Sequence, residues 1–183
     1  MGKIVFISSN DISDKTFHGS SFIHYSHKLY KSAPKEGVYT WYFLVDETPI
    51  YIYVGRSKYD TRRRGISEAF RLLISTDTQG TKYQKLDTDF VVGSLLKILT
   101  EQFNYNCYWE HVGDDPTNEV EFVKKFKPIL QQNNSRIDAK WKLYKEGKPG
   151  YYHNPNSDII IEAERSLTDL LIDKCRELNI SIE

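Results

Sequence analysis

The sequence predicts an α+β protein, an α/β sandwich with a small, mainly antiparallel three-stranded central sheet flanked by helices and extended at both ends. Three observations lead there. Val38 to Val45 and Ile50 to Val54 alternate aromatic and β-branched residues as strands do, and Asp46-Glu47-Thr48-Pro49 between them supplies turn chemistry. Asn106 to Val112 reads as a third strand. Several other stretches carry apolar residues at helical spacing, the clearest being Asp158 to Leu178, where Ile160, Ala163, Leu167, Leu170, Leu171, Cys175 and Leu178 form one stripe.

In chain order, Lys3 to Ile7 is a short strand, and Ser8 to Glu36 is polar and irregular. His24 and His27 in that stretch lack the further ligands a metal site needs. Gly55 ends the second strand of the hairpin, where bare backbone lets a ligand come close. The cations Arg56, Lys58, Arg62, Arg63 and Arg64 follow, with Asp60 as the single anion among them. Ile66 to Ser75 and Asp87 to Gln102 read as helices separated by the loop Thr76 to Lys82. Gly113 to Pro116 breaks the chain, and Asp115 before Pro116 starts a helix that runs to about Phe126. Beyond it, Lys140, Trp141, Lys142, Tyr144, Tyr151 and Tyr152 interleave bases with aromatics, which suits either a nucleic-acid contact or a ribbon capping the core. The terminal helix is expected to dock on the domain or on a second copy of the chain, as in a homodimer.

The 183 residues suit one compact unit, and 25 basic residues balance 25 acidic ones. A neutral chain has no long-range pull on nucleic acid, so any binding must come from a local patch such as the one after Gly55. Cys107 and Cys175 are too few for a disulfide framework or a cysteine zinc site. No segment is long and apolar enough for a membrane span, and Ile4 to Ile7 is too short for a signal-peptide core, so a soluble cytoplasmic protein with no membrane partner is expected.

Gly37-Val38-Tyr39, Tyr53-Val54-Gly55 and the passage that follows resemble the GIY-YIG nuclease family. The two tripeptides stand for the family's paired motifs, and Arg63, eight residues past Gly55, matches its arginine. Asn118 to Pro128 is similar to the family's acidic helix, with Glu119 as the matching metal-binding residue and Val123-Lys124 as its apolar-lysine pair. The resemblance covers roughly residues 35–134. Tyr39 and Tyr53 are slightly farther apart than usual, and Gln131 stands where many members have Asn, with Asn133 and Asn134 close by. The resulting division is an N-terminal extension 1–34, a nuclease core 35–134, and a tail 135–183.

The resemblance implies a Mg²⁺-dependent DNA endonuclease, with Mn²⁺ an acceptable substitute, of restriction, phage or mobile-element type. Its catalytic residues would be Tyr39, Tyr53, Arg63 and Glu119. Hydrolysis of a phosphodiester needs charge stabilisation on the phosphoryl oxygens, which the planar fork of Arg63 suits, with Arg56, Lys58, Arg62 and Arg64 adding contacts. Glu119 would hold one hard cation that keeps waters and substrate oxygens as its other ligands. Tyr39 takes the general-base role and Tyr53 orients water or a phosphate oxygen; a tyrosine with a pKa of about 10 serves only if its surroundings lower that value. Lys140, Trp141 and Lys142 complete the expected DNA contacts. Against this stand ordinary strand tyrosines, a solvated arginine run and a surface glutamate, with Glu121 competing for the metal. A catalytically inactive nucleic-acid-binding module of the same fold is the alternative.

Overall fold

In the computed structural model, residues 2–7, 15–17, 35–69, 88–131 and 157–182 are described. The hairpin is the centre of the architecture. Strand β3 (Gly37–Val45) turns back into β4 (Thr48–Ser57) through Asp46 and Glu47. Both turn residues have positive φ, 48° and 65°, the geometry that matches the right-handed twist of the flanking strands. The turn is therefore two residues, and Thr48 and Pro49, expected within it, already belong to β4.

Strand β5 (Cys107–Gly113) pairs antiparallel with the other side of β3, so the expected three-stranded unit is present in the order β4, β3, β5. The sheet is nevertheless larger than expected. Strand β1 (Ile4–Ile7) lies parallel to β5, and the three-residue β2 (Lys15–Phe17) pairs with β1, so the described residues form a mixed five-stranded sheet in the order β2-β1-β5-β3-β4. Ile4, Val5 and Phe6 are all buried, as a strand covered on both faces requires. A parallel neighbour reached by a long crossover leaves no local mark in the sequence.

Among the described residues four α-helices cover the sheet: α1 (Thr61–Ala69), α2 (Thr88–Lys97), α3 (Glu119–Phe126) and α4 (Ser157–Glu177). Helix α1 begins five residues before the expected Ile66, so the arginines lie within its first turn and not ahead of it. Asp60 explains the early start: its carboxylate accepts from the backbone N–H groups of Arg62 and Arg63 at 3.0 and 3.4 Å, capping the helix. Helix α2 runs on into a π-turn at Ile98–Gln102. A 3₁₀ turn at Pro116–Asn118, capped by the Asp115 side chain, leads into α3, which makes Glu119 the first residue of that helix.

The larger core lies between the sheet and α1, α2 and α4, with Trp41, Phe43, Ile52, Ile66, Leu95 and Leu99 fully or nearly fully buried. Leu167, Leu171 and Cys175 of α4 are buried in this same core, so this part of the stripe docks on its own domain, the first of the two arrangements expected for it. Helix α3 covers the opposite face, where Val123 packs with Val38 and Val54. Beyond α3 the chain turns back along the outer edge of β4. The N–H groups of Ile129 and Leu130 donate to the carbonyls of Tyr51 and Ile52, and the Gln131 amide pairs with both backbone groups of Val54 at 2.7 and 2.8 Å. Gln131 thus protects an edge strand. Among the described residues no helix is long and apolar enough to cross a membrane.

Candidate functional site

Strand register decides where the motif residues point. Tyr39 lies opposite Gly55 and Tyr53 opposite Trp41, and Ile52 is an extra residue at a bulge. The two tyrosine rings consequently share the face beneath α1, with centroids 6.3 Å apart and planes at 63°. A Cβ on Gly55 would collide with the Tyr39 phenol, so the glycine makes room for that ring and not for a ligand. Gly37 is required for a different reason: its φ is 137°, and a side chain there would meet the Gly113 carbonyl and the His111 ring.

Tyr39 is 0% exposed. Its hydroxyl donates to Glu68 Oε1 at 2.6 Å, and the Trp41 indole N–H donates to Glu68 Oε2 at 2.7 Å. A carboxylate accepts at both oxygens and has no donor of its own, so it matches these two donors. Burial, and then the Glu68 charge, push the Tyr39 pKa well above that of an ordinary phenol, with Arg64 opposing weakly. A general base needs the opposite shift and a free lone pair facing water. In this structure Tyr39 is a buried anchor bonded to Glu68, and the base role that the resemblance implies would need its hydroxyl opened to water. Tyr53 is 7% exposed and packs in the same core.

Glu68 was not picked out by sequence reasoning, although a signal existed. Thr61, Gly65 and Glu68 follow one another at helical spacing on the buried side of α1, so an acidic residue there needed partners inside. Gly65 lets the Trp109 indole approach the helix backbone, and that buried N–H has no partner among the described residues.

Neighbouring residues on a strand point to opposite faces, which puts Arg56 on the α3 side. There its Nε lies 3.2 Å from Glu119 Oε2. Glu119 is buried, and desolvation raises its pKa above the usual carboxylate value while Arg56 pulls it back. A divalent ion here would have Glu119 as its single protein ligand and would compete with Arg56 for that carboxylate. Among the described residues no group of three His, Cys, Asp or Glu side chains converges on a metal site, so waters and substrate oxygens would have to complete the shell.

A second network ties the same end of the sheet together. The His111 ring places Nδ1 3.1 Å from Thr61 Oγ1 and Nε2 2.8 Å from Asp114 Oδ1, an oxygen that Lys35 also reaches at 2.9 Å. Lys35, and then His111, hold the Asp114 carboxyl below its ordinary pKa. Both ring nitrogens are engaged, so His111 links the start of α1 to the end of β5. No sequence feature singled it out.

The structure thus brings Arg56 to Glu119, Tyr39 to Tyr53, and Arg64 to the neighbourhood of Tyr39. The two tyrosines and Glu119 lie on opposite faces of the sheet, close to one end of it. Arg63 and Lys58 are exposed and Arg62 and Arg64 half-buried at that end. Glu121 is exposed on α3. No family model, curated protein or solved structure matches this chain. Lys140, Trp141, Lys142, His24, His27, Asn133 and Asn134 lie outside the described residues.

Proposed function

We propose that this chain is a Mg²⁺-dependent DNA endonuclease on the GIY-YIG plan, with its site at the rim where the end of β4 meets the starts of α1 and α3. The observation that carries the reading is the Arg56–Glu119 contact of 3.2 Å, a buried carboxylate of raised pKa at the mouth of the cationic segment 56–64. In this reading Arg62 and Arg63 draw in the phosphodiester, and Arg63 stabilises charge on its oxygens in the transition state. Glu119 holds the cation, whose chemistry when bound is to stabilise the departing oxygen. Arg56 keeps the Glu119 carboxylate oriented. Tyr39, fixed by Glu68, and Tyr53 beside it pack the opposite face of the sheet and hold the hairpin that carries Arg56.

The test is scission of a mixed DNA pool by purified protein with Mg²⁺, beside EDTA and Glu119→Ala controls. Metal-dependent fragments absent from both controls are expected. A second reading, a binding module that does not cut, draws support from the Tyr39 hydroxyl being committed to Glu68 on the face away from Glu119. It predicts salt-dependent DNA binding unaffected by Glu119→Ala and no breaks with Mg²⁺ or Mn²⁺.

A further inference from the structure

Helix α3 starts at Glu119 and runs back along β4 toward the hairpin turn, where Phe126 stacks on Tyr51 with centroids 4.2 Å apart and planes at 9°. An open cleft of about 840 Å³ lies at this far end, between the turn, the end of α3 and the end of α4. Among the described residues, Lys124, Lys127 and Lys174 line it against a single acidic residue, Asp46. Lys174 is paired with Glu177 at 2.9 Å, whereas Lys124 and Lys127 are exposed and have no acidic partner among the described residues. Lysines in a last helical turn also complement the helix dipole, but Lys127 lies beyond the helix, in the left-handed region at φ 47°.

We infer that this cleft is a second contact for the backbone of double-stranded DNA, with Lys124 and Lys127 each neutralising a phosphate on the flank of the duplex whose scissile phosphate sits near Arg56 and Glu119. The inference rests on the nuclease reading for the position of the duplex and on charge complementarity for its occupant. The eight residues of α3 span about 12 Å. At 3.4 Å per step that is roughly three to four base pairs from the reacting phosphate. The lysines touch no reacting atom, so their effect is on binding and not on turnover of bound DNA.

The test uses Lys124→Gln/Lys127→Asn in the full chain; Asn tolerates the left-handed backbone at 127 while removing the charge. Binding of a labelled mixed-sequence DNA duplex is followed by fluorescence anisotropy between 50 and 200 mM salt, conditions over which each phosphate contact contributes about 0.9 to the slope of log K against log salt. The slope should fall by about 1.8, so that wild type loses roughly tenfold more affinity than the variant across that range. Lys3→Gln, on the β1 side of the molecule, should leave the slope unchanged, and cutting by the double variant at saturating DNA should match wild type. An unchanged slope in the double variant, with the slope reduced by Arg62→Ala/Arg63→Ala, overturns the inference and leaves the nuclease reading standing. Absence of salt-dependent binding by the wild-type chain overturns both.

Discussion

Tyr39→Phe separates an anchoring tyrosine from a catalytic one. The substitution removes only the oxygen that donates to Glu68 at 2.6 Å, at a position closed to bulk solvent. Hydrogen bonds to charged groups contribute about 1.5–3 kcal/mol to stability, and Glu68 would be left with the Trp41 N–H as its one remaining donor from this pair. For a chain of this length each kcal/mol corresponds to about 2–4 °C, so the melting temperature should fall by roughly 3–12 °C. Urea unfolding measures the free energy directly, and Glu68→Gln supplies the partner measurement. An amide offers one acceptor to two donors, so that variant should also lose about 1–3 kcal/mol, and the double variant should lose less than the sum of the two. Nuclease turnover by Tyr39→Phe, assayed well below its melting temperature, should stay within about tenfold of wild type, less than the smallest effect typical of losing a general base. A variant as stable as wild type but slower by about 10² or more would refute the anchor and return the base role to Tyr39.

The pKa shifts give two further tests with definite signs. Tyr39 keeps its proton in the fold at a pH where the unfolded chain loses it, so its contribution is complete below about pH 10 and is lost as pH rises above that value; alkaline denaturation of Tyr39→Phe should be less steep than that of wild type. Glu119 is likewise raised, so stability falls as pH climbs from the ordinary carboxylate value to the raised one. Mg²⁺ should therefore raise the melting temperature at pH 7, less so as pH drops into the carboxylate range, and Glu119→Gln should abolish that rise; a rise retained by the variant would remove Glu119 as the ligand. Arg63→Ala should leave the unfolding transition unchanged and lower turnover by about 10²–10³, and normal cutting would take Arg63 out of the mechanism. Gly55→Ala forces a methyl into the Tyr39 ring, which Glu68 and the stacked Trp109 hold in place, and should destabilise by about 1–3 kcal/mol.

The sequence by itself determined the hairpin, the break before α3 and the amphipathic α4, because strand alternation, turn residues, an Asp-Pro start and a helical stripe are local patterns with a local cause. It also placed Glu119 in the first turn of α3 and Arg56 at the end of the hairpin, whereas Arg62 to Arg64, expected ahead of the next helix, lie in its first turn. Tertiary structure decided the rest. The parallel β1 beside β5 depends on a crossover that no window of sequence contains. The reason Gly55 is bare is a ring sixteen positions earlier in the chain, brought over it by strand register. Glu68 became the partner of Tyr39 and Trp41 only when α1 settled on the sheet, and Arg56 met Glu119 only when α3 settled on the other face. Residue type and spacing fix which groups are present and which way each element turns them. Whether a tyrosine is a base or a buried anchor depends on its desolvation and its partner, and both come from elements distant in the chain.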